Sequence, residues 1–415
     1  KNILKLFLKI LIISQYFYPE NFRINDLVFS LKSRDHKIEV LTGKPNYPRG
    51  EYFKNYSWGK PKIELIKGIK VYRANLIVRK RGGGLRLFLN YFSFLFFGVL
   101  KLYGLKGEYD KVFVYAPSPI TVGFLGIYAA RKFKCKSFLW VHDLWPESIK
   151  VAGGIKNKLI LSTVNFMTKT IYRNTDKILI QSPEFKTYLK KQNVDEKKIV
   201  YYPYYAEDFY RKRTAKANYK NKFPKGFNLL FAGNIGVSQS FDTIVDAIEI
   251  LQGHNINVVI LGEGRDKQRI KRLINEKKLS KKFFFLGSYP PEEMPEYFAC
   301  ADALMISLQK ADIFSYTIPG KLQSYLACGK PIIGSLDGIG RKIIQESESG
   351  YVSEAEDANS LAENILKIYN DPDSRKEKFS SNAIQYFENN FEKYSLIQKL
   401  EHILEEALQN PKKLQ

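Results

Sequence analysis

Cysteine and histidine are both scarce in this sequence. Its 415 residues include three cysteines and four histidines. Cys135, Cys300 and Cys328 are far apart, each inside an apolar run, and none has the spacing of a metal site or a redox pair. This pattern is typical of a protein of the reducing cytosol, and it argues against a histidine-based metal centre.

Acidic residues are also few compared with basic ones, 42 against 66, which gives a formal net charge of +24. Nucleic acid, an anionic membrane face or an acidic substrate could each account for this excess. A lysine-rich composition that keeps the protein soluble would account for part of it. Zinc-finger spacing and the aromatic signature of single-strand binding are both missing, so we expect no nucleic-acid partner.

One apolar run, Leu87–Leu100, bears on membranes. It is shorter than the roughly 20 residues that a helix needs to span a bilayer. Cations flank it on both sides: Arg79, Lys80, Arg81 and Arg86 before it, and Lys101 and Lys106 after it. Aromatic-rich apolar faces with flanking cations are typical of helices that lie among lipid head groups. We therefore predict contact with an anionic membrane surface, with a core helix as the alternative.

The first residues have the apolar content of a signal peptide. They lack a small-residue cleavage site, and Lys9 interrupts the run. We interpret Lys1–Lys9 as a lead-in and Ile10–Ser14 as the first buried strand.

Strand-like apolar runs alternate with helical patterns along the whole chain, which predicts an α/β fold with parallel sheets. In the first half these runs are Ile10–Ser14, Ile38–Thr42, Ile69–Ala74, Val112–Tyr115, Ser137–Val141, Ile178–Gln181 and Ile199–Tyr202. In the second half they are Phe227–Ala232, Ile256–Leu261, Phe283–Leu286, Ala303–Leu308 and Ile332–Ser335. Between the two sets, Tyr202–Pro224 is charged and lacks an apolar period, which favours an interdomain linker.

We therefore predict two doubly wound, Rossmann-like domains facing a cleft, because a chain of this length is too long for one core. The N-terminal domain is expected over 1–205 and the C-terminal domain over 206–385. Residues 386–415 are expected to form a last helix that packs back across both domains, since Leu396, Leu400 and Leu404 recur at helical spacing.

The most informative segment is Phe314–Asp337. Thr317 or Ile318 can cap a helix whose first turn accepts Pro319, and Gly329 can end that helix. Its start would offer unpaired N–H groups, with Lys321 one turn inside. The segment predicts an anion site suited to a phosphate, and an ordinary capped helix is the alternative.

Two further strand ends in the second half carry glycines. Gly233 and Gly236 follow the Phe227–Ala232 strand, and Gly264 and Arg265 follow the next one. Glycines let backbone N–H groups approach a bound group closely, and Arg265 could contact a phosphate. Each motif alone is weak evidence, since surface arginines and short glycine turns are common.

The strand ends of the first half carry different chemistry. Glu20 and Arg23 lie in the turn after the first strand, and His142 and Asp143 follow the Ser137–Val141 strand. Burying a His-Asp pair without a role is costly, so we interpret it as a group that positions a hydroxyl. A satisfied structural pair at a strand end is the alternative.

Taken in order, the segments SQYFYPENFRINDL, TGKPNYPRG, HDLWPES, FAGNIG, GEGR and IPGKLQSYLACGKPIIG resemble retaining glycosyltransferases of family four. The similarity is strongest to bacterial enzymes that add N-acetylfucosamine or related amino sugars in O-antigen and capsule assembly. It covers essentially the whole chain and implies the GT-B fold. It also implies a UDP-sugar donor held by the C-terminal domain and an acceptor held by the N-terminal domain.

The resemblance also implies roles for particular residues. It assigns His142, Lys321 and Arg265 to catalysis, and Glu20, Arg23 and Asp143 to the acceptor. The donor side would comprise Gly233, Asn234, Gly236, Gln239, Gly264, Arg265, Tyr289, Pro319, Gly320, Lys321, Ser324 and Tyr325. No metal cofactor is expected, because helix N-termini and cations would replace it at the diphosphate.

The sequence departs from the wider family at two positions of the donor loop. Tyr316 and Ser324 stand where that family has glutamates eight positions apart. Ser324 can still hydrogen-bond a ribose hydroxyl, but a neutral bond contributes less than a charge-assisted one. Lys321 and Gln323 beside it match the narrower amino-sugar group.

The implied reaction is sugar transfer with retention, by same-face attack, since no nucleophilic carboxylate stands out in the donor loops. The acceptor is expected to be a polyprenyl-diphosphate-linked or other membrane-linked glycan at the cytoplasmic face of the inner membrane. Two alternatives stay open: a sugar-nucleotide epimerase of the same shape, and a non-catalytic membrane-associated subunit.

Overall fold

The computed structural model describes residues 7–60, 62–80, 83–151 and 154–406. The predicted lead-in therefore lies largely outside the described residues. The chain forms two compact units, one comprising Lys1–Tyr202 and Ile397–Gln415 and the other Pro203–Leu396. The boundary falls after Tyr202 rather than after residue 205. Within 386–415, which is expected to form a helix that packs across both domains, the division between the units falls after Leu396.

The first unit is built on an eight-stranded sheet. Its strands are β1 (Lys9–Ser14), β2 (Lys37–Gly43), β3 (Lys62–Ile66), β4 (Ile69–Ala74), β5 (Lys111–Ala116), β6 (Lys136–Val141), β7 (Lys177–Ile180) and β8 (Ile199–Tyr201). Their order is β3-β4-β2-β1-β5-β6-β7-β8, and only β3 runs antiparallel to its neighbour. Because β1 has β2 on one side and β5 on the other, the loops after β1 and β5 diverge at a switch point where ligands commonly bind.

Helices connect these strands. They are α1 (Ile24–Ser33), α2 (Gly84–Gly104), α3 (Val122–Phe133), α4 (Glu147–Val151), α5 (Lys158–Asn174) and α6 (Glu184–Lys191). The strands β1, β5 and β6 are almost wholly buried, as expected for a parallel sheet covered on both faces.

The second unit has a six-stranded, fully parallel sheet in the order β11-β10-β9-β12-β13-β14. Its strands are β9 (Phe227–Ala232), β10 (Ile256–Leu261), β11 (Phe283–Gly287), β12 (Ala303–Ser307), β13 (Ile332–Ser335) and β14 (Gly350–Ser353). Its helices, with the last one shared with the first unit, are α7 (Ala217–Lys220), α8 (Phe241–Ile250), α9 (Lys267–Glu276), α10 (Met294–Cys300), α11 (Asp312–Tyr316), α12 (Gly320–Cys328), α13 (Gly338–Glu346), α14 (Ala358–Asn370), α15 (Asp373–Asn390) and α16 (Lys393–Glu406). The switch point lies between β9 and β12.

The stretch expected to be an interdomain linker is instead a packed part of the second unit. It contains the short helix α7, and the Tyr219 ring lies 4.9 Å from that of the buried Tyr297. Lys222 donates to the Tyr297 hydroxyl at 2.8 Å. Aromatic packing rather than an apolar period holds this segment, which explains why its pattern looked like a linker.

The apolar run assigned to the membrane lies in α2, which is longer than the run itself. By length and composition α2 could cross a membrane, although a core helix passes the same test. One face of α2 contacts α3, β2 and β4, and a Cβ at Gly98 would come within 2.7 Å of Leu125. The helix is therefore packed on the first unit along that face. The opposite face, defined by Leu85, Phe88, Phe96, Leu100 and Tyr103 and called here the outer face of α2, is between 52% and 77% exposed.

Candidate active-site residues of the two units

In the second unit, the turns after β9 and β10 are bonded to each other. The Gly233 N–H donates to the Leu261 carbonyl and the Ile235 N–H to the Glu263 carbonyl, both at 2.9 Å. Gly233 has a φ of +141°, and a Cβ at Gly264 would lie 2.0 Å from the Ile235 carbonyl oxygen. The glycines are required by this close backbone approach, which the sequence pattern could not distinguish from an ordinary glycine turn.

Helix α12 begins one residue later than a cap at Ile318 predicts and two residues later than a cap at Thr317 predicts. Pro319 is its N-cap in extended conformation rather than a first-turn residue, and Gly329 ends it in the left-handed region. With its amide nitrogen turned towards them, Gln323 donates to the Pro319 and Gly320 carbonyl oxygens at 3.1 Å. The start of α12 is thus held in place by a buried side chain whose structural role no sequence pattern predicts.

Lys321 reaches from α12 to the turn after β9. Its Nζ donates to Gln239 Oε1 at 2.8 Å and lies 3.6 Å from the centroid of the Phe231 ring. A Cβ at Gly233 would lie 3.2 Å from this Nζ. Among the described residues Lys321 forms no ion pair, and burial lowers its pKa to about 7. A cation held by an amide and an aromatic face retains the capacity to bind an anion.

The other predicted donor residues differ in their surroundings. Gly236, Gln239, Gly264 and Lys321 lie together with Gly233 at the strand ends. Asn234 and Arg265 are exposed in the turns after β9 and β10, and Gly320 is exposed at the start of α12. Tyr289 packs against Tyr297 with 4.6 Å between ring centroids. Ser324 and Tyr325 are buried in α12. The Tyr325 hydroxyl accepts a hydrogen bond from the Ala232 N–H at 3.0 Å, so Tyr325 fastens the end of β9 to α12.

In the first unit, Glu20 is held in the loop after β1. Its Oε1 accepts hydrogen bonds from the backbone N–H groups of Asn46 and Tyr47, at 2.8 and 2.7 Å. Burial raises the pKa of Glu20 to about 7, although these two bonds act to lower it. Arg73, fully buried on β4, donates to the Tyr18 carbonyl and fixes the same loop.

His142 and Asp143 follow β6, as the sequence predicts. The His142 ring lies 4.7 Å from Tyr115 and 4.4 Å from Trp140, between centroids. Burial, together with the charge of Arg23, lowers its pKa well below the usual value, so the imidazole is neutral. Burial raises the pKa of Asp143 to about 7. The imidazole therefore packs against both aromatic rings.

A metal site is not formed by the residues that the structure describes: they contain no group of three or more His, Cys, Asp or Glu side chains able to hold an ion. The independence of the reaction from metal stays a prediction.

Comparisons with known proteins bear on the class of protein. Residues 212–386 match the family model of "Glycosyl transferases group 1". Sucrose-phosphate synthase from Thermosynechococcus elongatus superposes with a TM-score of 0.77 at 17% identity, covering 97% of this chain and 99% of that one. HepE of Anabaena in complex with UDP gives a TM-score of 0.71 at 14% identity, covering 96% and 100%. At such identities these structures show the fold, which is GT-B.

The family match supports the predicted class, a glycosyltransferase, over the matched segment. In sequence, the chain is 23% identical over 337 residues to the putative colanic acid biosynthesis glycosyl transferase WcaI of Escherichia coli. The similarity covers 78% of this chain and 82% of that protein. The matched family segment lies within the second unit, which carries the glycine turns, Arg265 and Lys321.

Proposed function

We propose that this protein transfers a sugar from a UDP-sugar to a membrane-linked glycan, with retention of configuration. The transferred sugar would be an N-acetylated amino sugar. The acceptor would be linked to polyprenyl diphosphate. The reaction would serve the synthesis of a bacterial surface polysaccharide, such as an O-antigen or a capsule, at the cytoplasmic face of the inner membrane. The name of the Escherichia coli relative, which concerns colanic acid biosynthesis, supports such a pathway.

The observation that carries the proposal is the placement of Lys321. Its ammonium lies beside the glycine turn after β9, and its backbone lies one residue inside α12, where a helix presents N–H groups and a partial positive charge. A diphosphate bound there would meet a positive charge, helix N–H groups and close-approaching glycine backbone. UDP in the structure of HepE supports this class of ligand for the fold.

In this mechanism the second unit stabilises the leaving diphosphate. Lys321 and Arg265 would neutralise the charge that develops as the bond to the sugar breaks, and the start of α12 would supply hydrogen bonds. The departing phosphate would take the proton of the acceptor hydroxyl, so that the new bond forms on the face from which UDP leaves. His142, which is neutral, would hydrogen-bond the donor sugar.

Replacing Lys321 tests this assignment. Lys321→Met keeps most of the apolar stem but removes the charge, and it should weaken UDP binding measured by calorimetry by about 10–100-fold. Turnover should fall by about 10²–10³. Lys367→Met, on the exposed side of α14, is the matched control and should leave both unchanged. Unaltered UDP affinity in Lys321→Met would remove Lys321 from the donor site.

The two alternatives predict different behaviour with the donor alone. An epimerase would convert UDP-N-acetylglucosamine without any acceptor, which nuclear magnetic resonance of the sugar anomeric proton would detect. A non-catalytic subunit would bind no nucleotide sugar at all. Binding of UDP-sugar without its conversion, followed by transfer when acceptor is added, is the result expected here.

A further inference from the structure

Four buried side chains around the end of β1 each carry a polar atom without a hydrogen-bond partner in the described part of the chain. The atoms are Gln15 Oε1, the Tyr16 hydroxyl, Glu20 Oε2 and Asn46 Oδ1. None of the four residues is more than 2% exposed. A buried unsatisfied group costs about 1–3 kcal/mol, so native proteins normally satisfy such groups with water or a ligand.

Arg79 lies beside these residues, although its sequence position suggested a cation flanking the membrane segment. Its guanidinium carbon is 5.2 Å from the Tyr16 ring, 5.7 Å from Tyr47 and 5.3 Å from Tyr91. Its Nε donates to Asn90 Oδ1 at 3.2 Å. No carboxylate pairs with Arg79 among the described residues, so its terminal nitrogens keep their donor capacity.

Hydrogen bonds and ring contacts link Gln15, Tyr16 and Glu20 to this guanidinium, in part through Asn90 and Tyr47. Gln15 Nε2 donates to the same Asn90 oxygen at 2.7 Å, and the Tyr16 ring packs against Arg79. Glu20 is bonded to the backbone of Tyr47, whose ring also packs against Arg79. Gln15, Tyr16, Glu20, Asn46, Tyr47 and Arg79 are called here the Arg79 cluster.

The chemistry of the cluster selects among ligands. The unsatisfied amide oxygens of Gln15 and Asn46 are acceptors that need donors, while Arg79 needs an acceptor. A fully ionised phosphate could only accept, and it would leave these amide oxygens without partners. A sugar hydroxyl both donates and accepts. The Tyr16 ring is buried and stacked on Phe22, whereas the Tyr47 ring is 40% exposed and offers an apolar surface to a sugar ring. Ordered water would satisfy the same atoms but would not use the exposed Tyr47 ring.

We infer that the Arg79 cluster is a carbohydrate subsite that binds a hydroxylated ring of the acceptor. This inference rests on the proposed function, because it names the part of the acceptor that the first unit recognises. It adds Arg79, Tyr16, Gln15 and Asn46 to Glu20 as acceptor-side residues. Acceptors that carry a deoxy position towards the cluster would bind more weakly, since a buried oxygen would stay unsatisfied.

The test uses the full chain and free sugars as probes. Saturation-transfer difference spectra would be recorded with N-acetylglucosamine, galactose and fucose, each with and without inorganic pyrophosphate. At least one sugar should receive saturation, and Arg79→Gln should weaken its binding by about 10–100-fold. Tyr16→Phe, which removes one hydroxyl and keeps the ring, should weaken it by a smaller factor. Arg272→Gln, an exposed arginine on α9, is the control and should bind as the parent chain does.

The contrary results are distinct. If calorimetry shows that pyrophosphate binds in an Arg79-dependent way and the sugars give no such signal, the cluster is an anion site. If no sugar gives an Arg79-dependent signal while circular dichroism shows folded variants, the cluster holds water only. Either result overturns the inference. UDP calorimetry on the same variants separates this outcome from failure of the proposed function, because UDP binding depends on the second unit and should not change.

Discussion

At the scale of single residues, three of the candidate site groups share one property: each is a wholly or partly buried ionisable side chain that forms no ion pair with another described residue. The pKa of Lys321 is lowered to about 7, and the pKa values of Glu20 and Asp143 are raised to about 7, in each case chiefly by burial. Structural ion pairs elsewhere in the chain, such as Arg73 with Glu64, are satisfied. Perturbed groups outside ion pairs are better candidates for functional positions than charged groups in general, because no structural ion pair explains their shifted pKa.

Glu20 allows a prediction about pH. Its folded pKa lies above the ordinary value, so the folded chain binds more protons than the unfolded chain between about pH 4.5 and 7. The free energy of unfolding should therefore fall as pH rises through this window, by up to about 3 kcal/mol. Glu20→Gln keeps an oxygen for the Asn46 and Tyr47 N–H groups and should remove that part of the decline.

Urea unfolding at pH 5 and pH 8, followed by tryptophan fluorescence, measures the effect. Trp58, Trp140 and Trp145 all lie in the first unit, so the signal reports on that unit. Glu51→Gln, an exposed residue, is the control and should keep the full pH dependence. If the free energy of unfolding falls by the same amount between pH 5 and pH 8 in Glu20→Gln and in the parent chain, Glu20 is not the group that titrates.

At the scale of elements, most of the central strands could be predicted because both faces of a parallel sheet are buried and each strand is a continuous apolar run. The bounds of β9, β10 and β13 agree with the sequence prediction to the residue. The sequence missed β3, an antiparallel edge strand that leaves Ile63 and Leu65 exposed, and β14, which has four residues. Such strands lack the buried run that revealed the others.

The candidate site was predictable only in part, for a related reason. The strand-end glycines stand out because they directly follow buried apolar runs, and Lys321 stands out because Pro319 marks the helix start beside it. The role of Arg79 depends on side chains that are far apart in sequence, such as Gln15 and Asn90, which are 75 residues apart and hydrogen-bonded. The role of Gln323 depends on hydrogen bonds within a buried helix turn. No local pattern encodes such meetings.

Helix α16 is attached through Glu401. This carboxylate accepts two bonds from Arg34, at 2.7 and 2.6 Å, and lies 3.0 Å from His36 Nε2. His36 Nδ1 accepts from the Leu8 N–H, so Nε2 carries the proton that faces Glu401. Burial would raise the pKa of Glu401, but the bonds from Arg34 and His36 outweigh it and lower that pKa.

Glu401→Ala should reduce the free energy of unfolding of the first unit by about 3–5 kcal/mol, because it takes this carboxylate away from the Arg34 guanidinium.

Thermal and urea unfolding read by tryptophan fluorescence would measure this loss. Glu405→Ala, one turn further along α16 and without a partner among the described residues, serves as the control. If Glu401→Ala lowers the free energy of unfolding no more than Glu405→Ala does, apolar packing by Leu400 and Leu404 alone holds the helix. The Glu401 contribution should also shrink in acid, because a lowered pKa means that its stabilisation is lost as pH falls.

At the scale of the whole molecule, the net charge of +24 and the outer face of α2 point to one partner. Solubility alone does not require large aromatic side chains to be exposed on a helix. On α5, Leu159 and Phe166 are also exposed in the same unit. Exposed apolar side chains and an excess of cations together fit the anionic face of a membrane, where both would be satisfied.

We therefore predict that the protein binds vesicles of phosphatidylcholine and phosphatidylglycerol at low salt and sediments with them. Replacing Phe88 and Phe96 by serine should weaken binding by at least about 10-fold, since a fully buried aromatic side chain contributes about 1.5–3 kcal/mol. Ile250→Ser, an exposed apolar residue of the second unit, should leave binding unchanged. Raising the salt from about 50 to 500 mM should weaken binding of every variant by screening the cations.

Binding that depends on salt but not on Phe88 and Phe96 would assign the attraction to charge alone and would remove α2 from the membrane surface. A parent chain that ignores the vesicles at low salt would exclude the membrane-linked location while leaving UDP binding by the second unit intact.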